Sequence, residues 1–305
     1  MSPKTDTMPD AHSARAWLMA LRPKTLPVGA APITVGIAIA VSATNNHINY
    51  PVAAVCLITA LLLQILSNLA NDYFDFKKGT DTEERQGPPR TMQQGLISEK
   101  RMKSALFICT LLAIGTGSTL VWFGGWPYLM IGILALVSAI AYTGGPYPLG
   151  YNGLGDIFVF LFFGLAAVIG TTHLCSGMLP AEVWPAACAM GLLAVNLLVV
   201  NNVRDEHQDR QHGKTTLVVR WGRKFGLLQY AAGLFLAYMC VGIIASITAN
   251  NWVVATGIIA PIGIAGFKRL TVLNGKELNP VLAHTARFTF LFGLILSLSL
   301  VIPLN

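Results

Sequence analysis

The sequence predicts an all-α membrane protein, a polytopic helical bundle of about nine transmembrane helices around a central cavity open toward the cytoplasmic face. Three observations lead to this fold class. Of the 305 residues, 54% are hydrophobic and only 11% are charged, whereas a soluble domain carries about 25% charged residues. The apolar residues are grouped in long stretches, and the basic residues gather in alternate gaps between those stretches.

Nine stretches are candidates for membrane spans, because a helix that crosses the hydrocarbon core needs about 20 apolar residues. The first of them contains several glycines and prolines, and the fourth is short. The predicted spans cover residues 26–44, 51–71, 104–123, 127–143, 155–176, 183–203, 226–248, 252–270 and 284–303.

The basic residues orient these spans. All 21 Lys and Arg residues fall before the first span or beside the gaps after even-numbered spans, and the other gaps hold one charged residue, Glu182. Since positive residues stay on the cytoplasmic side, we expect a multi-pass protein of the cell inner membrane with its N-terminus and its site on the cytoplasmic side. The net charge of +7 follows from this topology, so no nucleic-acid partner is needed to explain the charge. The lipid bilayer is the expected partner.

The chain divides into a short tail and one membrane domain. Residues 1–12 are predicted to be a disordered tail, and residues 13–305 to form a single domain of two weak four-helix repeats plus one helix. Residues 13–22 predict a short interfacial helix that Ser13 caps.

Two acidic clusters stand where spans two and six end. The first runs from Asn71 to Asp75, and the second from Asn201 to Asp209. In both, side chains four residues apart stack on one helix face. A chain with only fourteen acidic residues has placed six of them in or just beyond these clusters. This concentration at the end of membrane spans indicates a functional site.

Oxygen ligands in two such clusters suit magnesium, which takes one or two carboxylates and completes its shell with substrate phosphates. We expect each cluster to hold one Mg²⁺ and the two ions to clamp one diphosphate. Asp72 lies about 100° around the helix from Asn71, toward a neighbouring helix or the outer ligand shell. The expected metal ligands are Asn71, Asp75, Asn201, Asp205 and Asp209.

Basic residues interleaved with the acids strengthen the expectation of a diphosphate, because guanidinium groups bind phosphate in a bidentate manner and lysines act as point charges. The residues weighed for this role are Arg22, Lys24, Arg90, Arg204 and Lys214. Lys77 and Lys78 are expected to reach lipid headgroups instead.

A diphosphate bound at the end of a membrane bundle suggests a lipid tail. Once its charge is neutralised, the diphosphate leaves an allylic carbon, and the resulting cation must be kept from water. An apolar cavity excludes water, and aromatic faces stabilise the cation. The Gly- and Pro-rich segment Tyr142–Asp156 is expected to line the mouth of the cavity. The candidate aromatic residues are Phe74, Tyr142, Tyr147, Phe158 and Phe162.

These stretches resemble the UbiA superfamily of intramembrane prenyltransferases. The matching strings are Asn68-Leu-Ala-Asn-Asp-Tyr-Phe-Asp-Phe-Lys-Lys-Gly-Thr-Asp81 and Asn201-Asn-Val-Arg-Asp-Glu-His-Gln-Asp209. Arg22-Pro-Lys-Thr-Leu-Pro27, and the second string continued to Gly222, look like the branch that prenylates 1,4-dihydroxy-2-naphthoate. The resemblance covers nearly the whole chain beyond residue 12. It implies Mg²⁺-dependent transfer of a polyprenyl group from polyprenyl diphosphate to 1,4-dihydroxy-2-naphthoate, with loss of CO₂ to give demethylmenaquinol.

The resemblance also implies residue roles. The implied metal ligands are the five named above. The implied catalytic residues are Asp72, Asp75, Asp205 and Asp209. The implied substrate-binding residues are Arg22, Lys24, Asn68, Arg90, Tyr142, Asn202, Arg204 and Lys214. Two departures from the common pattern fit the naphthoate branch: Asp81 follows Asn71 by ten positions rather than eight, and residues 142–151 contain no lysine.

Other functions are consistent with parts of the sequence. Within the same enzyme class, the alternative acceptors are 4-hydroxybenzoate, homogentisate, haem and a chlorophyll precursor. In other classes, the chain is a cation-coupled transporter or an isoprenoid-binding protein. Against a transporter, the acids lie on one face only and no polar path leads to the other. A binding protein would not need paired metal ligands.

Overall fold

The computed structural model describes residues 9–79 and 85–302, and within these ranges it is helical with no β-strand, so the all-α prediction is confirmed. Short helical turns at 23–25 and 275–277 and a 3₁₀ segment at Asn251–Ile259 join or extend the α-helices. The α-helices are α1 (Ala14–Leu21), α2 (Leu26–Ala43), α3 (Tyr50–Lys78), α4 (Glu99–Gly124), α5 (Trp126–Ala141), α6 (Gly155–Val159), α7 (Ala167–Ser176), α8 (Val183–Gln211), α9 (Leu217–Trp221), α10 (Arg223–Thr248), α11 (Ala260–Val272) and α12 (Leu278–Val301).

Eight helical segments among the described residues are long and apolar enough to cross a membrane. The remaining predicted span is α5, whose 16 residues extend about 24 Å, less than the roughly 30 Å of a hydrocarbon core. Tryptophans mark the ends of the spans that lie away from the acidic clusters, as expected at a membrane interface. Those more than half exposed at these ends are Trp122, Trp126, Trp184 and Trp252.

The helices that carry the acidic clusters are longer than the sequence analysis predicted. Helix α3 runs to Lys78 and α8 runs to Gln211, so both clusters lie inside helices and the predicted loops at 72–103 and 204–225 are shorter. Helix α3 ends where Gly79 adopts a left-handed φ of 65°, which glycine tolerates without strain. Helix α12 begins at Leu278 rather than at residue 284. Apolar content therefore predicted where the candidate spans lie and underestimated how far their helices extend.

The N-terminal helix is tied to the loop between α3 and α4. The Ser13 side chain accepts a hydrogen bond from the Ala16 N–H at 3.2 Å, as predicted for a helix cap. The His12 N–H donates to the Leu96 carbonyl at 2.7 Å, so the last residue of the predicted 1–12 tail already contacts the rest of the chain. Residues 1–8 of that tail lie outside the described part of the chain. Ala16 and Ala20 are fully buried in a cluster with Met92, Leu96, Ile97 and Met102.

Close helix contacts hold the middle of the bundle. Residues Phe160–Ala166 form a π-helix between α6 and α7, and wide turns of this kind are frequent near functional sites. At Gly164 an added Cβ would lie 2.6 Å from the Ala187 carbonyl oxygen, and at Gly191 it would lie 2.8 Å from the Phe160 ring. Small residues let membrane helices approach at this distance.

We expect Gly164→Ala to destabilise the protein, because its new methyl group meets backbone atoms of α8 that cannot move aside. Overpacking of this kind costs about 1–3 kcal/mol. The matched control is Gly115→Ala, because an added Cβ at Gly115 meets nothing within 4 Å. Thermal unfolding in detergent should show a lower midpoint temperature than wild type for Gly164→Ala. The midpoint of Gly115→Ala should not be lowered. Equal midpoints for the two variants would contradict the packing described here.

Candidate active site

An apolar cavity of about 220 Å³ lies between α2, α3, α4, α5 and the fifth span. On α3 its lining extends from Ser67, one turn before Asn71, to Cys56, a length of about 16 Å at 1.5 Å per residue. Of the predicted aromatic residues, Tyr142, Phe158 and Phe162 line it. Phe74 instead packs where Gly144 leaves room for its ring, and Tyr147 is 60% exposed. The cavity thus extends through the apolar interior of the bundle to within one helical turn of the first acidic cluster.

Asp75 is the centre of the first cluster. Its carboxylate is buried and accepts hydrogen bonds from the Arg90 guanidinium at 3.0 Å and from the Tyr151 hydroxyl at 2.7 Å. The structure therefore brings Arg90, a predicted phosphate ligand, to a predicted metal ligand. A buried carboxylate is stable in this setting because a cation and a hydrogen-bond donor replace its water.

Tyr151 connects the two acidic helices, and it is not among the site residues predicted from the sequence. The Lys78 and Lys214 ammonium groups lie 4.4 Å and 4.5 Å from the centroid of its ring, within the range of cation–π attraction. Lys78 also donates to the Thr143 carbonyl at 2.6 Å. The expectation that Lys78 reaches lipid headgroups is therefore wrong, because its ammonium group turns inward toward this site. The only sequence signal for Tyr151 was its place in the Gly- and Pro-rich segment.

The second cluster presents two paired carboxylates. Asp209 forms an ion pair with Lys214 at 3.3 Å, and Asp205 accepts two bonds from Arg204 at 2.8 Å and 2.6 Å. Burial acts to lower the pKa of Lys214, but the Asp209 and Asp75 carboxylates outweigh burial, so its pKa is raised and it stays protonated. Because carboxylates from both helices act on this one lysine, the two clusters share one electrostatic site.

The two asparagines that are predicted metal ligands lie one helical turn before the carboxylates of Asp75 and Asp205. The Asn71 Oδ1 accepts a hydrogen bond from the Thr143 hydroxyl. The Asn201 amide donates to the Leu197 carbonyl at 3.4 Å, which leaves its oxygen on the opposite side of the amide.

Asp72 and Asn68 both form hydrogen bonds that hold other segments of the chain against α3. The Asp72 carboxylate is buried and accepts from the N–H and hydroxyl of Thr91, at 3.1 Å and 2.6 Å, and from the Met92 N–H at 3.4 Å. The Asn68 amide donates to the Leu21 carbonyl at 3.0 Å and to the Thr25 hydroxyl at 3.2 Å. Asp72 thus holds the loop that delivers Arg90, and Asn68 holds the elbow between α1 and α2.

The remaining predicted residues have varied positions. Arg22 occupies the left-handed elbow between α1 and α2, with φ of 52°, and Lys24 next to it is exposed. Asn202 is buried on α8, and Tyr142 lines the cavity. Asp81 lies outside the described residues.

The donor set fits a divalent cation that shares its shell with phosphate. Across residues 9–79 and 85–302, no three His, Cys, Asp or Glu side chains are close enough to hold a metal ion by themselves. The site instead offers separate carboxylates, two from α8 and one from α3, with amide oxygens beside them. Mg²⁺ binds in this way when substrate phosphates complete its octahedral shell. The four cations around these carboxylates suit a ligand with several negative charges.

Fold and site together define a membrane enzyme that handles a charged group at the end of an apolar cavity. The sequence model of the UbiA prenyltransferase family matches residues 30–300. The chain therefore belongs to the UbiA prenyltransferase family, as its motifs predicted, and is a prenyltransferase.

Relatives and solved structures agree with this assignment. The chain is 38% identical over 296 residues to a Haemophilus influenzae protein named 1,4-dihydroxy-2-naphthoate octaprenyltransferase, covering 94% of this chain and 96% of that protein. It is 45% identical over 238 residues to the Escherichia coli protein of the same name, covering 75% and 76%. Its fold is similar to that of a UbiA homologue from Archaeoglobus fulgidus bound to GPP and Mg²⁺, with a TM-score of 0.63, 17% identity and coverage of 94% and 99%.

We expect Tyr151→Phe to weaken binding of a metal diphosphate, because the substitution removes the hydroxyl that orients Asp75. The aromatic ring under the two lysines is kept. A lost hydrogen bond to a charged group corresponds to about a tenfold change in affinity. The measurement is the rise in melting temperature caused by Mg²⁺ and inorganic diphosphate. The control is Tyr147→Phe in the same loop, at an exposed position. An equal rise in both variants would contradict the role of Tyr151.

Proposed function

We propose that this prenyltransferase transfers a polyprenyl group, octaprenyl or of similar length, from its diphosphate to 1,4-dihydroxy-2-naphthoate. The ring carboxylate leaves as CO₂ and the product is demethylmenaquinol, an intermediate of menaquinone biosynthesis. The observation that carries this proposal is that the apolar cavity, whose lining includes Ser67 and Tyr142, ends one helical turn before the first cluster of paired carboxylates and cations. The choice of acceptor is supported by the names of relatives that match most of the chain.

The reaction breaks the allylic C–O bond of the diphosphate and forms a C–C bond at the ring carbon that bears the carboxylate. The electron-rich ring supplies the electron pair, the diphosphate leaves with the pair of the broken bond, and the β-keto acid that results loses CO₂. No strong base is required. The residues of the chain position the reactants, balance charge and exclude water.

Bound Mg²⁺ would neutralise the diphosphate and make it a better leaving group. Asn71 and Asp75 on α3, and Asn201, Asp205 and Asp209 on α8, are the residues proposed to hold it. Arg90 and Lys214 are paired with these carboxylates, and Lys78 lies over the Tyr151 ring beside Asp75. We propose that all three turn toward phosphate oxygens when the ligand arrives. We propose that Tyr142, Phe158 and Phe162 shield the allylic carbon, because they line the cavity beside this site.

We further propose that the protein lies in the cell inner membrane with this site at the cytoplasmic side. The support is the positive-inside rule, since the Lys and Arg residues cluster at the ends of the helices that carry the acids. The naphthoate acceptor, being water-soluble, would then reach the site from the cytoplasm, and the polyprenyl tail from the bilayer.

A product assay tests the proposed reaction. Purified protein in detergent is incubated with Mg²⁺, an allylic polyprenyl diphosphate and 1,4-dihydroxy-2-naphthoate, with 4-hydroxybenzoate in parallel, and products are identified by mass spectrometry. We expect a prenylated, decarboxylated naphthoquinol that EDTA abolishes and that Asp205→Asn reduces by about 100-fold.

The matched control is Glu206→Gln, because Glu206 is the next residue on α8 and pairs with Arg210 at the surface. It should retain normal activity. Prenylated hydroxybenzoate as the only product would contradict the proposed acceptor, and activity that survives EDTA would contradict the metal.

A further inference from the structure

The loop after the first acidic cluster is bound to both acidic helices. We define the strap as residues 85–92. On α3, Asp75 binds Arg90 of the strap, and Asp72 binds Thr91. On α8, the Gln208 side chain accepts a hydrogen bond from the Gln86 N–H at 3.2 Å. The strap therefore spans the site from one acidic helix to the other.

A third anchor comes from the last helix. Asn279, in the first turn of α12, donates its amide N–H to the Gln86 carbonyl at 2.9 Å. Its Oδ1 accepts a hydrogen bond from the Arg204 guanidinium, also at 2.9 Å. One amide thus joins the strap to the arginine that holds Asp205.

Arg204 is enclosed on its other edges. Its side chain is 4% exposed, and its Nε and Nη2 atoms each donate a hydrogen bond to one oxygen of Asp205. The strap lies directly against it, because a Cβ added to Gly87 would be 3.0 Å from a guanidinium nitrogen. Glycine is therefore the residue that lets the strap backbone approach this arginine.

We propose that Asn279 is a positioning residue for the metal–diphosphate site. It holds Arg204 in the orientation that aims Asp205 and holds the strap that carries Arg90 to Asp75. The role in metal binding rests on the proposed function, whereas the role in holding the strap rests on the contacts alone.

Asn279 can position these groups because its own helix is held in place. Helix α12 is anchored in the core by fully buried residues such as Phe288, Phe292 and Leu296. An amide can donate to the strap and accept from Arg204 at the same time, which neither alanine nor aspartate can do. Without Asn279, Arg204 keeps Asp205 as its partner but is free to tilt, and the strap loses its link to α12.

The kinetic test compares Asn279→Ala with Asn274→Ala. Asn274 is the matched control because its side chain also accepts a hydrogen bond from an arginine, Arg223, and donates to the Val272 carbonyl rather than to the strap. Residues that orient metal ligands change metal affinity by about tenfold or more. In Asn279→Ala we therefore expect the half-saturating Mg²⁺ concentration and the KM for polyprenyl diphosphate to rise on the order of tenfold. The KM for the aromatic acceptor should not change.

A second readout does not involve metal or activity. In metal-free protein, we expect trypsin to cleave after Arg85 when the strap opens locally, because Arg85 and Gln86 are held by hydrogen bonds to Pro88, Gln208 and Asn279. The cleavage rate then reports how firmly the strap is held. We expect cleavage at Arg85 to be about tenfold faster in Asn279→Ala and in the isosteric Asn279→Asp, since either change removes the donor to Gln86. The variant Asn274→Ala should match wild type.

Three outcomes are decisive. A raised Mg²⁺ requirement with faster strap cleavage supports the proposal. Reduced activity with an unchanged Mg²⁺ requirement and unchanged cleavage overturns it, because Asn279 would then act only through stability. Wild-type protein that prenylates no acceptor would contradict the proposed function, and the cleavage rates of Asn279→Asp would still support or overturn the role of Asn279 in holding the strap.

Discussion

The structure depends on neutralising three carboxylates at the end of an apolar bundle. Asp75 is paired with Arg90, Asp205 with Arg204, and Asp209 with Lys214. Both side chains of the Asp75–Arg90 pair are less than a tenth exposed, and removing one partner of such a buried pair costs about 3–5 kcal/mol, because the other charge is left without compensation. Each cation is delivered by a different part of the chain, the loop after α3, helix α8 itself and the turn after α8. Charge balance therefore dictates how the polar end of the bundle is folded.

This arrangement explains why the site is at one end of the cavity. Helices α3 and α8 continue for about two turns beyond their predicted apolar spans, which end at residues 71 and 203, and the carboxylates lie on these extensions. The cavity begins one turn below Asn71. A ligand with a charged head and an apolar tail satisfies both environments at once, with its reacting carbon at the boundary. Water exclusion and charge stabilisation then act on the same bond.

Much of the fold and part of the site could be predicted from the sequence, for identifiable reasons. Apolar stretches predicted the helices, and the four-residue spacing of Asp205 and Asp209 predicted a shared face. The sequence did not reveal Tyr151 or Asn279, whose contacts with Asp75 and Arg204 join residues 76 and 75 positions apart. Local patterns carry no signal for such contacts. Lys78 was misassigned because a lysine at a helix end has the same sequence pattern whether it turns toward lipid or toward a site.

The most direct test of this account is photo-crosslinking with a polyprenyl diphosphate that carries a photoreactive group within its first isoprene units. The labelled residues are identified by mass spectrometry with and without Mg²⁺. The account predicts Mg²⁺-dependent labelling of cavity residues such as Phe158 and Phe162, which excess inorganic diphosphate abolishes. Labelling confined to outward-facing residues such as Phe107, which is 65% exposed, and independent of Mg²⁺ would contradict it.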